Sequence, residues 1–348
     1  LAGINSLTEH SVVTIKSGKL LFIIICLAPF ACIFISLCIG RYPLPAAEVV
    51  RALLHPLGNK GSASEIYHNI VWEIRLPRAL LGSMVGACLA ASGTAFQGLF
   101  RNPLVSSGIL GVSSGAGFGA ALAILLFNTV AMAYPFALLF GIIAVVCSYL
   151  IARLYRSAPA IMLVLGGVIV SSVFAALLSF VKYVADPTDQ LPTIVFWLMG
   201  SLASARYHDI FIAGLPMAIG VIGLVSIRWR INVLSMGERE AHALGANTTL
   251  GKGMVILCAT LATAGAVCVS GVIGWIGLVI PHIGRMLVGN DNRILIPVSL
   301  SLGACFLVVV DNLGRLITGS EIPLGILTAL VGGPFFVYLL KKTKAGGW

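Results

Sequence analysis

The sequence predicts an all-α fold: a polytopic membrane protein of about ten transmembrane helices. Three observations carry this. Hydrophobic residues make up 59% of the 348 positions and charged residues only 10%, less than half the roughly 25% charge of soluble domains. The apolar residues spread over the whole length rather than gathering into one anchor. They also fall into runs near the roughly 20 residues that a helix needs to cross a bilayer. A soluble globular enzyme, a disordered chain and a soluble domain on a single anchor are excluded.

In order, the spans fall at about 20–40, 79–98, 107–127, 134–153, 160–182, 209–227, 253–272, 275–288, 295–313 and 323–340. The first follows a polar stretch with Lys16 and Lys19. That pattern imitates a signal peptide, but the run is long enough to span and others follow, so it reads as an uncleaved helix. The eighth is too short to cross alone and is expected to be a broken or tilted element buried in protein. The whole chain, 1–348, reads as one transmembrane domain with a cytoplasmic tail at 1–19.

Net charge is +10, from 22 Lys and Arg against 12 Asp and Glu. Cytoplasmic loops of membrane proteins collect such residues, so no nucleic-acid partner is inferred. With the N-terminus inside, 14 of the 22 basic residues fall on the inner side, which favours both termini in the cytoplasm. The eight Cys all lie in apolar stretches and none forms a CxxC; they read as small packing residues rather than as disulfides or metal ligands.

Glycines at four-residue spacing, Gly82 with Gly86 and Gly111 with Gly115 and Gly119, predict close helix packing, because small residues let backbones approach in lipid. Three loops exceed mere connections. The outer loop 41–78 follows the first span. The outer loop 183–208 holds an apolar stretch, Leu191 to Ala203, predicted as a short helix at the membrane face. The inner loop 228–252 is the most informative.

In that loop Ser235 precedes Glu238 by three residues, a capping-box pattern. Ala241 and Leu244 follow as a small apolar stripe, and Gly245 is a natural stop. The spacing predicts a helix of about ten residues, roughly 15 Å, carrying Glu238, Arg239, Glu240 and His242. It reads equally as a docking element for a soluble partner and as an amphipathic helix resting on headgroups. Gly245 to Gly253 imitates a phosphate loop but fails twice. With Gly251-Lys252 as the anchor, Ala246 stands where a Gly is required and Gly253 where Ser or Thr would hold magnesium. The chain is therefore not expected to bind ATP, and any ATP energy must come from another subunit.

Arg75, Arg78 and Arg315 run against the inner bias of positive charge. They suit bidentate pairing with carboxylates of an external protein, or snorkelling to lipid phosphates, which the sequence slightly favours. Asn102-Pro103-Leu104 predicts a chain break, since proline removes a donor and disfavours helix at Asn102. Asp311 and His282 are intramembrane ionisable residues and so functional candidates; Asp311 is expected to be satisfied by nearby backbone or by Arg315 one turn away. No nucleophile elbow, HExxH or metal-ligand pair occurs, which argues against an enzyme. An ion-gradient carrier would place coupling-ion ligands near the midplane, and such carboxylates are scarce here.

Arg75 to Ala120 resembles the signature of the FecCD family, the permeases of bacterial ABC importers for ferric siderophores, haem and cobalamin. So do Phe196 to Ser204, Leu234 to Gly245, Gly271 to Arg285 and Glu321 to Leu340. The resemblance covers about residues 20 to 342. It implies the type II ABC importer permease fold, ten helices per chain, and a homodimer with its path on the two-fold axis in the bacterial inner membrane. It implies two separate ATPase subunits, which bind ATP and magnesium, and an extracytoplasmic substrate-binding protein; no cofactor is expected on this chain.

By the same resemblance, Ser235, Glu238, Arg239, Ala241, Leu244 and Gly245 dock into the ATPase. Arg75, Arg78 and Arg315 face acidic residues of the binding protein. Asn102, Pro103 and Leu104 form the cytoplasmic gate, with Ser157 a second and looser gate position. Spans 5 and 10 line the path or the dimer seam, and helices 2–5 and 7–10 stand in inverted relation. Ferric siderophore is the first expectation for cargo, with haem, a corrinoid or molybdate as alternatives.

Overall fold

The computed structural model describes residues 22–54, 62–154, 160–317 and 321–342. The tail 1–19 and Ser157 lie outside them. Every span predicted above coincides with a helix. They are α1 (Phe22–Cys38), α4 (Leu76–Phe100), α5 (Val112–Phe127), α6 (Ala133–Arg153), α7 (Ala160–Val184), α9 (Tyr207–Met236), α11 (Thr248–Ser270), α12 (Ile276–Val288), α13 (Asn292–Ile317) and α14 (Leu324–Lys342). Short helices lie between them: α2 (Ala46–Leu54), α3 (Ser62–Asn69), α8 (Gln190–Met199) and α10 (Glu238–Ala243). Among the described residues no strand occurs, and six helices are long and apolar enough to cross a membrane.

Two predicted loops are more helical than expected. The outer loop 41–78 holds α2 and α3, and α3 runs through a π-helical segment, Ile70–Arg75, directly into α4. Arg75 and Arg78 therefore sit on a continuous helix rather than in a loop. The inner loop 228–252 begins later than predicted because α9 continues to Met236. Ile227, Ile231 and Leu234 recur on one buried face, and that spacing sustains the helix past the apolar run. The α8 prediction holds, with its end at Met199.

α4 is the hub, buried along most of its length and packed against α9, α11, α12 and α13. Glycine makes this possible. A Cβ on Gly86 would lie 2.1 Å from the Gly303 carbonyl oxygen of α13, and one on Gly93 would lie 2.0 Å from that of Gly277 on α12. Gly115 and Gly119 seat α5 on α6 in the same way, against the Phe140 and Phe136 carbonyls. Gly111 does not belong to that stripe: it precedes α5 at φ 86° and shapes the turn.

The breaks at α8, α11, α12 and α14 meet one another. Ser201 N–H donates to Ser270 O and Leu324 N–H to Gly200 O, both at 2.9 Å. Irregular backbone inside a membrane protein must be satisfied by protein, and these bonds do so. α12 is 13 residues long, about 20 Å at 1.5 Å per residue, and starts beside α4 rather than at the surface. It is the buried short element that its sequence predicts.

Candidate functional site

Two ends of the bundle carry the predicted site residues. At one end α9 terminates at Gly237, whose φ 130° and ψ 164° suit glycine alone. α10 follows for six residues. Gly245, at φ 75°, then closes the helix, with its N–H on His242 O and that of Ala246 on Ala241 O. The Gly245 stop was legible in advance, but the capping box was not realised. Ser235 lies in the last turn of α9, where its Oγ donates to Asn232 O at 2.7 Å. Glycine, not serine, begins α10, because the extended α9 absorbs the residue that was to cap the next helix.

α10 buries Ala241 against the bundle and leaves Glu238, Arg239, Glu240 and His242 exposed. Leu244 is 63% exposed, so the expected apolar stripe divides into one anchored and one presented residue. Lys252, the lysine of the false phosphate loop, is tied to Glu238 at 2.8 Å. His242 and Thr248 are 3.1 Å apart, and Asn247 Oδ1 caps α11 by accepting the Leu250 N–H at 3.0 Å.

The predicted break lies beside this helix. α4 stops at Phe100, and Arg101 takes a left-handed conformation at φ 52°. Asn102 Oδ1 accepts the Leu104 N–H at 2.9 Å, folding Asn102-Pro103-Leu104 into a tight turn with Leu104 exposed. Sequence reasoning missed the residue that holds this turn. Gln97 donates through Nε2 to Val105 O at 3.1 Å and to Gly277 O at 3.3 Å, while its Oε1 accepts from Arg285 of α12. A polar residue within an apolar span was the available signal. A cavity of about 580 Å³ opens here, lined by Gln97, Arg101, Asn102, Ser235, His282 and Arg285 among others. Arg101 also lines a smaller cavity with Gly237 and Glu238, so it stands between the turn and α10.

The same end is clamped by polar side chains. Asn232 of α9 donates to Asp291 Oδ1 at 2.6 Å and accepts from the Asn292 backbone and side chain at 2.8 Å. Arg293, with further help from Asn232, holds the Asp291 carboxyl well below its ordinary range.

At the opposite end the three predicted arginines are buried and partnered internally. Arg78 makes a bidentate pair with Asp311, through Nε at 2.9 Å and Nη2 at 2.8 Å, and a third bond to Glu321 at 2.9 Å. Arg315 stands 3.4 Å from Asp311 and also donates to Asn312 and Ser36. Arg75 donates to the carbonyls of Leu37 and Tyr42. Exposure is 5% for Arg75 and 8% for each of the others. Neither open presentation to an external protein nor snorkelling to lipid describes these positions. Burial in a low dielectric demands counter-charge and hydrogen bonds, and Asp311 and Glu321 supply the charge. The expectation that Asp311 is met by Arg315 holds in part, with Arg78 the closer partner.

This arrangement is a helical membrane bundle with a surface helix at one end, a buried charged cluster at the other and no catalytic constellation among the described residues. The chain belongs to the FecCD transport family, whose model matches residues 25–342, and is a permease subunit of ABC importers, in which the ATPase is a separate subunit. It is 40% identical to the molybdate import system permease protein MolB of Haemophilus influenzae over 316 residues, 90% of this chain and 93% of the relative. It is 41% identical to the probable iron chelatin transport system permease protein of Helicobacter pylori over 275 residues, 79% of this chain and 83% of the relative. A solved structure of an inward-facing metal-chelate type ABC transporter superposes with a TM-score of 0.83 at 37% identity, covering 93% of this chain and 99% of that one.

Proposed function

We propose that the chain works as a homodimer in an ATP-driven importer of a metal chelate, with a ferric siderophore as first cargo. The observation that carries this reading is α10. It is a short helix held between Gly237 and Gly245, and it presents Glu238, Arg239, Glu240, His242 and Leu244 outward. Such a helix cannot span and buries little, so its fixed geometry suits contact with a partner. That partner is two ATPase subunits that bind ATP and magnesium on their own residues.

ATP binding draws the ATPases together and pushes on α10. Arg101, beside Gly237, relays the push to the turn Asn102-Pro103-Leu104. The turn is pinned to α12 through Gln97 and Arg285, so it moves with α12 rather than alone. The bundle thereby favours one of two states by differential contacts. The α10 end is cytoplasmic in this scheme, as are both termini, and the membrane is the bacterial inner membrane. The exposed apolar faces of α7 and α14, including Leu165, Val173, Leu330 and Val337, are what a second copy would cover.

The substrate-binding protein docks at the opposite end. There three guanidinium groups meet two carboxylates among the described residues, and the residual positive charge attracts an acidic surface. Molybdate is the second reading for cargo, favoured by the 40% identity to MolB.

Reversing both charges, Glu238→Lys with Arg239→Glu, is expected to abolish uptake while the ATPase still hydrolyses ATP. Full ATP-dependent uptake by that variant refutes the docking of α10. Fluorescence titration of the cognate binding protein with ferric siderophores, haem, cobalamin and molybdate separates the cargo readings. Tight binding of molybdate alone would overturn the siderophore assignment.

A further inference from the structure

The cavity of about 580 Å³ at the α10 end has a charge pattern that the transport scheme, which uses Arg101 and Arg285 only as mechanical links, leaves unaccounted for. Two guanidinium groups line it, Arg101 on the turn after α4 and Arg285 on α12, and among the described residues no Asp or Glu lines it. Arg285 donates to the neutral Gln97 Oε1, and among the described residues no carboxylate forms an ion pair with it, so its charge is left without a counter-ion. Asp291, a carboxylate close by in the chain, is engaged by Arg293 and Asn232. The remaining polar lining is rich in amides, from Asn102, Asn290 and Asn292. His282 lines the wall beside Arg285.

Arg285 is half-buried, and positive charge held partly out of water needs counter-charge. Arginine forks match the oxygens of phosphate-like anions, and neutral amides add donors without adding repulsion. We propose that this cavity is a binding site for a small phosphate-type oxyanion, one per chain. The oxyanion bridges Arg101 and Arg285 and so fastens the turn 101–105 to α12. The ligand chemistry is that of a tetrahedral phosphate group, whether free inorganic phosphate or the headgroup of an anionic phospholipid. Its effect is to oppose movement of the turn. The site stands on the chain's own charge pattern and holds whichever cargo is carried.

The test uses the full chain, purified and stripped of lipid, with inorganic phosphate as the probe. Thermal unfolding is followed during a phosphate titration at constant ionic strength balanced with sodium chloride. A saturating rise in midpoint is expected, as for any ligand that binds only the native state. Arg101→Asn, at an exposed residue and with a side chain that tolerates the left-handed conformation, is expected to weaken apparent affinity by roughly ten-fold or more, since one charge-assisted contact is lost. Arg285→Gln is expected to do the same, and Arg51→Gln, on α2, to change nothing.

Native mass spectrometry before stripping separates the two sources. A phosphatidylglycerol retained by the wild type and lost from Arg101→Asn places a headgroup in the cavity. Saturable phosphate binding that added phosphatidylglycerol does not compete with assigns it to free phosphate. A response that never saturates, or one equal in wild type and both site variants, overturns the proposal. So does a phosphate response that vanishes once the ATPase is bound, because the cavity then belongs to that interface.

Discussion

Replacing Gly86 by alanine adds one methyl group at the crossing of α4 and α13. The new Cβ would lie 2.1 Å from the Gly303 carbonyl oxygen and 2.9 Å from the Leu307 Cβ. Ordinary contact begins at 3.4 Å, so the crossing must open by about 1.3 Å. Both sides are helix backbone, and no flexible side chain can swing away. Overpacking of this kind costs about 1–3 kcal/mol. A gap of about an ångström already forfeits about half of each dispersion contact along the seam, and this opening exceeds that, which places the cost at the upper end. Alanine regains about 1 kcal/mol of helix propensity over glycine, leaving a net loss of about 2 kcal/mol. Gly253→Ala on α11 is the matched control, since nothing lies within 4 Å of its Cβ, and it is expected to be neutral or to gain up to about 1 kcal/mol. The assay is reversible unfolding of the permease in mixed micelles, with the two midpoints compared. Gly303→Ala is expected to resemble Gly86→Ala, and the double variant to cost less than the sum because both open the same contact. Equal midpoints for Gly86→Ala and Gly253→Ala would refute the reasoning.

The buried lock at the other end offers a second test. Arg78→Met leaves Asp311, among the described residues, with the 3.4 Å contact to Arg315, and stranding a buried charge costs about 3–5 kcal/mol; Arg78→Met with Asp311→Leu is expected to recover only part of it in the same unfolding assay, because buried Arg315 then loses its carboxylate partner. Gly237→Ala forces an L-residue into φ 130° and ψ 164°, at a cost of about 1–3 kcal/mol. It is expected to lower uptake per ATP hydrolysed in proteoliposomes more than it lowers the unfolding midpoint, and unchanged coupling would count against the α10 relay. The carboxyl of Asp291 is held below its ordinary 3.8 chiefly by its hydrogen bond to Arg293. Its folded value is the lower one, so its contribution to stability is present above pH 3.8 and is lost as pH falls from there through the folded value. Asp291→Asn should therefore flatten the acid limb of the stability profile and leave the slope above pH 5 unchanged.

The ten spans, the short eighth helix, the break at Asn102-Pro103 and the stop at Gly245 were legible because each is a local property. Hydropathy accumulates along a run, proline acts on its own neighbours, and a glycine stop serves the helix directly before it. Pairings between distant residues are not of this kind. Arg78 and Asp311 are 233 positions apart, and nothing along the chain says that these two charges share an end of the bundle. Lipid, an external protein and an internal carboxylate satisfy a guanidinium equally well on paper, and only the packing of α4 on α13 selects the last. The same holds for Gly86, whose spacing foretells close approach without naming Gly303 as its partner. It holds for Gln97, whose three bonds reach a turn and another helix. Ser235 shows the converse: a valid local capping signal was overruled because the buried face of α9 ran on through it to Gly237. Local sequence thus sets which segments enter the membrane, while the tertiary structure chooses partners, because burial turns each charge and each backbone contact into a constraint that one neighbour alone can meet.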